Sequence, residues 1–483
     1  QGGTYVSWYE DASAGDGYYY IVHIDSEGNV VGPDPIIQTQ ENYGNVSLES
    51  AGNGDAAIAW KQGQTDSEDV YSQRVGISTN SIVKKWNGGQ PLLVCDALGK
   101  QTSTKVTYYS DEYVIVVWED WRSADNLTAI GGNFIDNDGN LVFSEGNDIV
   151  FTNDQPTPLF PRVKASSDGA FVVWLSAADV HYVQKIVPSD ISVWSSPVFL
   201  STSETQQQAR LSSDNNGGVY ITWENGEYDE KSIALSHLNS EGTQTFSTKI
   251  ISDINSEQFA SLVRVDGSYG AFVVWGSGSS NYNGTSSLGL EYQYVELSGQ
   301  TLANPIELFY GFGGQIEKGT TRSIQFDNSN NLIYWQDYRD GTDKPKTYGT
   351  LLNQDGTSTE YNLSDYSSKQ IAPELIRVDQ NTLALSFYNS GGKVFFQLLN
   401  NNLGKIGEAI PVYEGGSEQA DDNRPHIMSS NYNSDGEFFI GYTERGDYGK
   451  IYLQKYSANG SALWDENKEV ASETGDNSIN KLY

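Results

Sequence analysis

The chain has 483 residues, 37% of them hydrophobic and 12% aromatic, so its core must rest on Trp, Tyr and Phe more than on Leu and Ile. With 29 basic against 63 acidic residues the net charge is −34, which argues against nucleic acid and anionic membrane surfaces as partners and leaves cations, calcium above all, as expected ones. No run of about 20 apolar residues supports membrane insertion, and a single cysteine, Cys95, excludes an intrachain disulfide.

Taken in chain order, the predicted elements are copies of one unit. Each is anchored by a short apolar strand ending in an aromatic residue. Tyr5-Val6-Ser7-Trp8 opens the series, followed by Ala57-Ile58-Ala59-Trp60, Ile115-Val116-Val117-Trp118 and Phe171-Val172-Val173-Trp174. Tyr220-Ile221-Thr222-Trp223, Phe272-Val273-Val274-Trp275 and Leu332-Ile333-Tyr334-Trp335 continue it, and the series ends at Phe387 and Tyr442. The anchors at 8, 60, 118, 174, 223, 275, 335, 387 and 442 lie 49 to 60 residues apart. A second strand in most copies alternates apolar and polar residues and turns on Gly, as in Asn133-Phe134-Ile135-Asp136-Asn137-Asp138-Gly139. A short third strand follows, such as Val198-Phe199-Leu200, and a fourth precedes the next anchor, such as Arg162-Val163-Lys164.

Four antiparallel strands per copy, with no helical periodicity, predict an all-β fold: one closed β-propeller over residues 1–483. Nine copies are counted, but the fourth has an atypical turn and the eighth has Phe387 for Trp, so both eight and nine blades are open at this point. The chain begins on an anchor strand and ends with Ile479-Asn480-Lys481-Leu482-Tyr483, which fits the strand the first copy lacks. Pairing the two would close the ring and remove an exposed edge.

Two copies carry the pattern W-x-D-aromatic-R, at Trp118-Glu119-Asp120-Trp121-Arg122 and Trp335-Gln336-Asp337-Tyr338-Arg339. With the following hairpin Asp138-Gly139-Asn140, the repeat resembles the propeller repeats of large secreted surface proteins of Bacteroidota and related bacteria. The resemblance implies type IX secretion, an extracellular or cell-surface location, and partners among cell-surface proteins, glycans, or the secretion and adhesin machinery. On the structural reading of the motif, its Asp accepts backbone N–H groups and its Arg spans to a neighbouring blade.

Catalytic motifs are scarce. The four histidines fall in four different copies, and G-x-S-x-G, P-loop and C-x-x-C patterns do not occur. Binding residues are easier to nominate. Arg162, Arg210, Arg264, Arg322 and Arg377 fall on or beside the strand before the anchor and would form a cationic ring for an anionic ligand if that strand lines the channel; a repeated interblade ion pair would give the same pattern. Trp121, Tyr338, Trp86, Tyr9 and Tyr282 are the aromatics placed for sugar or protein recognition, against the alternative of interblade packing. Asp136, Asp138 and Asn140 could hold calcium, although a plain turn has the same composition. The expectation is a non-catalytic extracellular binding or scaffold module that recognises glycan or protein and needs no cofactor, with calcium as its one candidate ion. Its rivals are a sialidase-like or lyase-like glycan-processing propeller and a structural segment of a larger adhesin.

Overall fold

The computed structural model describes the chain except residues 1–2, 13–15, 26, 41–45, 65, 79–80, 123–127, 145–147, 152–157, 177, 201–205, 215, 227–230, 253–256, 266–269, 279–287, 311–321, 326–330, 340–343, 390, 416–424, 430–435, 445–449, 472–477 and 483. Residues 3, 9–12, 16–17, 33–40, 149–151, 207–208, 257–261, 288, 309–310, 325, 425–429, 444 and 478–482 are described by backbone alone.

Alternating apolar sequence between Gly- and Asn-rich turns folds into nine antiparallel sheets, eight of four strands and one of five. The chain is a nine-bladed β-propeller. The first strands of neighbouring blades meet around the ring, which puts them nearest the axis. The two weak copies are complete: blade 4 runs from Pro158–Ser166 to Val198–Leu200 and blade 8 from Ile371–Arg377 to Lys405–Tyr413. Blade 2 differs, because Ser81–Lys84 and Leu92–Cys95 both pair with the long strand Ser67–Ser78. Closure follows the expected scheme. Ser478–Leu482 adds antiparallel to Gly3–Ala12 as the first strand of blade 1, with Val6 opposite Leu482 and Trp8 opposite Ile479.

All nine anchor aromatics are buried, none more than 2% exposed. Side chains alternate across a strand, so the anchor and its i−2 neighbour face the preceding blade, while i−1 and i−3 face the following one. Trp118 and Val116 thus pack with Ala57 and Ala59 of blade 2, and Val117 and Ile115 with Val172 and Trp174 of blade 4. Nine apolar clusters result, each shared by two neighbouring blades. Stability therefore lies in nearest-neighbour interfaces.

Two repeated devices lock the blades. One is a buried amide on the third strand. Gln73 Oε1 accepts the Trp86 N–H at 2.9 Å while its Nε2 donates to the Gln90 carbonyl at 2.8 Å. Gln184 clamps Trp194 in the same manner, and Gln454 Nε2 donates to the Trp464 carbonyl at 3.3 Å. The other device is the turn glycine. Gly139, at φ 86°, lies flat on the Trp86 ring, where a Cβ would come within 2.8 Å. Gly242 does the same on Trp194, and Gly28 on Trp464. Each amide holds an aromatic ring out, and the next blade's turn closes over it.

Candidate functional site

Of the five arginines expected to form a cationic ring, Arg162, Arg210 and Arg322 share one level and Arg264 and Arg377 do not. Strand register places Lys481, Lys105, Arg162, Arg210 and Arg322 at one level of the innermost strands, each opposite the residue before an anchor aromatic. Blades 2, 6, 8 and 9 carry Ser47, Leu262, Glu374 and His426 there. Arg264 and Arg377 lie off this level, opposite Phe272 and Leu383. Their groups are engaged elsewhere: Arg264 Nε donates to Ser323 Oγ at 2.7 Å, and Arg377 Nη1 to Asn401 Oδ1 at 3.0 Å. Arg322 reaches Glu374 of the next blade at 3.9 Å, the interblade pair that the sequence also allowed.

Blades 3 to 5 are different. The ion pairs of the described residues involve none of Lys105, Arg162 and Arg210. Partial burial, then the neighbouring Arg210 charge, holds the Arg162 guanidinium below its ordinary pKa. Burial and then Arg162 lower the Lys105 ammonium, with Glu119 opposing. Three cations in successive blades thus repel one another in a chain with 63 acidic residues to spare.

Beside them a cavity of about 290 Å³ opens between blades 4 and 5, lined by Phe160, Arg162, Val173, Trp174, Leu175, His181 and Ala209. Its geometry comes from a β-bulge. The register of the blade 4 inner strand slips between Leu159 and Arg162, which leaves Phe160 at φ 55° and 64% exposed. Glu119 of blade 3 holds that backbone, accepting the Phe160 N–H at 2.7 Å through Oε1 and the Thr102 hydroxyl at 2.9 Å through Oε2. Gln336 and Ala372, at φ 46°, repeat the link between blades 7 and 8 at 3.0 Å. His181 is buried at 2% exposure. Gln206 Oε1 accepts both its backbone N–H, at 2.7 Å, and its Nδ1, at 3.0 Å, while Gln206 Nε2 donates to the Leu200 carbonyl at 2.8 Å. The amide orientation puts the ring proton on Nδ1 and leaves Nε2 an acceptor. Burial, reinforced by the Arg162 charge and opposed by the Gln206 bond, brings the His181 pKa down to about 4, so the ring is neutral near pH 7.

The aromatic candidates separate. Trp86 is fully buried as an interblade lock, its Nε1 donating to the Asn137 carbonyl at 3.2 Å, so it offers no binding face. Tyr338 is half-buried and its hydroxyl accepts from Gln336 Nε2. Trp121 is half-buried under Lys100, whose Nζ sits 4.8 Å from the ring centroid. Tyr9 lies in the closing sheet, described by backbone alone, and Tyr282 lies outside the described residues. The proposed calcium turn is occupied by its own donors. Asp136 Oδ1 accepts the Asp138 and Asn140 N–H groups at 2.9 and 2.8 Å, and Oδ2 accepts Asn140 Nδ2 at 2.9 Å. These bonds hold the Asp136 carboxyl below its usual pKa against a burial effect in the opposite direction. Asp25 and Asn29 form the same turn in blade 1. Among the described residues no group of three or more His, Cys, Asp or Glu side chains is placed to hold a metal.

The W-x-D-aromatic-R motif is a structural latch. Asp120 accepts the Trp118 indole N–H and the Arg122 backbone N–H, both at 3.0 Å, and pairs with the Arg122 guanidinium. Asp337 does the same with Trp335 and Arg339 at 2.9 and 2.8 Å. The Asp role is as expected; the Arg role is not. Arg122 pairs with Asp148, and Arg339 with Glu360, both within their own blades, because the fourth strand brings an acid back beside the motif. Arg122 also touches Cys95 of the neighbouring blade at 3.3 Å, and burial pushes that thiol up to about 12.

No sequence family matches the chain, and no curated protein does. Among solved structures it is similar to a eukaryotic initiation factor, with a TM-score of 0.52 and 12% identity over 100% of this chain and 98% of that one. Polysaccharide lyase Uly1 aligns at a TM-score of 0.43 and 10% identity, over 86% of this chain and 91% of that one. The BP39L lectin from Burkholderia pseudomallei aligns at 0.40 and 10% identity, over 74% and 96%. The likeness to the initiation factor, at 12% identity, shows the propeller fold and nothing finer.

Proposed function

We propose that this propeller is a non-catalytic recognition module of a bacterial cell surface that binds a glycan on its axis at blades 3 to 5. The observation that carries the reading is the set of three like-charged side chains, Lys105, Arg162 and Arg210, that form no ion pair among the described residues, beside a cavity with an exposed aromatic residue. Such a set is costly to keep without a ligand and useful with one. The chemistry around it favours binding over turnover. A histidine with a pKa near 4 is a poor general base at neutral pH, and both oxygens of Glu119 are committed to holding Thr102 and Phe160. Extracellular placement, export by a type IX system and a surface partner rest on the resemblance of the W-x-D-aromatic-R repeats to bacterial surface propellers.

A glycan array probed with the purified protein, followed by product analysis on each glycan bound, tests the reading. Selective binding with the glycan recovered intact is the expected result. Chain cleavage or new unsaturated ends would put the protein among glycan-processing enzymes, and a blank array with folded protein would contradict glycan recognition.

A further inference from the structure

We propose that the cavity between blades 4 and 5 seats a single acidic sugar, its anionic group on Arg162 with the Arg210 charge beside it, its ring face on Phe160 and one hydroxyl donating to His181 Nε2. The assignment rests on the glycan-recognition reading and adds to it a ligand class and a pose. Four observations converge. The cations come from neighbouring blades at the same level of the innermost strands, Arg162 in the cavity wall and Arg210 outside it but close enough for its charge to act on Arg162. The cavity, at about 290 Å³, is at the small end of ligand sites and admits one sugar ring rather than an extended chain. Its walls are mostly apolar, from Phe160, Val173, Trp174 and Leu175, as the carbon face of a pyranose requires. Phe160 is held exposed in the left-handed region by the Glu119 bond, an arrangement that costs backbone strain and leaves a large ring in water unless something covers it.

The pattern of donors and acceptors narrows the class further. Arg162 and Arg210 supply only donors, which match a carboxylate or sulfate. His181 lines the cavity, and Gln206 fixes its Nε2 as an acceptor that takes no other hydrogen bond among the described residues. A ligand with an anion at one edge and a hydroxyl at the other satisfies both. A simple inorganic anion leaves Phe160 and His181 unused, and a neutral sugar leaves the cations unneutralised. An acidic peptide supplies carboxylates but not the rigid apolar face with a hydroxyl beside it.

Titration calorimetry on the whole chain at low salt distinguishes these cases. The probes are an oligoglucuronate, a sulfated galacto-oligosaccharide, the carboxyl-reduced neutral form of the first, and a poly-glutamate peptide. At least one acidic sugar should bind, with the neutral form and the peptide at least about tenfold weaker, and Arg162→Met or Arg210→Met should weaken binding about ten- to a hundredfold. Arg162→Lys keeps the charge but not the fork, so it should retain part of the affinity, and melting curves of all variants report folding separately. Phe160→Ala should lower affinity several-fold with the preference for acid intact. Equal binding of the neutral sugar, tighter binding of the peptide, or unchanged affinity in both folded Met variants would overturn the acidic-sugar seat while leaving glycan recognition to the array result. Absence of binding to every sugar would overturn both.

Discussion

Replacing Asp120 with Ala is expected to destabilise the protein by about 3–5 kcal/mol, the range for removing one partner of a buried charge pair. Its carboxylate is fully buried and receives the Trp118 indole, the Arg122 backbone N–H and the Arg122 guanidinium. Alanine would leave the indole and the backbone group without their acceptor and Arg122 with Asp148 and the Cys95 sulfur. Asp120→Asn keeps an oxygen for the indole but loses the charge, and should cost less. The loss should concentrate at the interface of blades 2 and 3, because Trp118 packs with Ala59, Trp86 and Val94 of blade 2. Urea unfolding checks the magnitude, and hydrogen exchange of residues 101–136 checks the location. A change below about 1 kcal/mol would mean that the latch behaves like a surface pair.

Acidification is expected to weaken the fold in two separate windows, the first belonging to His181. Its folded pKa of about 4 lies below the ordinary value of 6.5, so the unfolded chain takes up a proton that the native ring refuses. Stability therefore falls as pH drops from about 6.5 to 4, by up to about 3 kcal/mol. His23 is also lowered by burial and adds in the same direction. The carboxylates of Asp25, Asp136 and Asp214 have folded pKa values below their usual 3.8, so their contribution is present above that value and disappears at still lower pH. His181→Gln, which retains hydrogen-bonding capacity without a titrating ring, should remove most of the loss between pH 6.5 and 4 and leave the lower window unchanged. Thermal melts at half-unit pH steps read both effects. An identical pH profile in the variant would mean that His181 titrates normally in the folded protein.

The ring was legible because its signals are local and repeated. Each anchor is marked by its own strand, from Trp8 through the non-Trp substitutes Phe387 and Tyr442, and all nine occupy the same buried position. Even the closing strand could be read from the apolar pattern of Ile479 and Leu482. The buried amides were also within reach. Tyr71-Ser72-Gln73-Arg74, Tyr182-Val183-Gln184-Lys185 and Tyr452-Leu453-Gln454-Lys455 form a Y-x-Q-K/R pattern whose Gln holds the lock aromatic and whose cation pairs with Asp55, Asp168 or Glu437.

The site was legible only in its charges. Arg162 and Arg210 stood out against an acidic chain, but strand register was needed to separate them from Arg264 and Arg377. Phe160 and His181 carried no local signal at all. The exposure of Phe160 depends on a bulge held by Glu119, 41 residues earlier, and the protonation of His181 depends on Gln206, 25 residues later. Trp86 misled for the complementary reason: an aromatic in a Gly- and Asn-rich loop looks exposed until the neighbouring blade's Gly139 covers it.

Differential hydrogen exchange, with and without a saturating acidic oligosaccharide, tests most directly whether the cations of blades 3 to 5 are a ligand seat. The account predicts protection confined to Gln101–Ser110, Pro158–Ser166 and Gln206–Ser213, with the inner strand Ile371–Arg377 across the ring unchanged. Protection centred on another part of the ring, or none under conditions where binding is saturated, would contradict it.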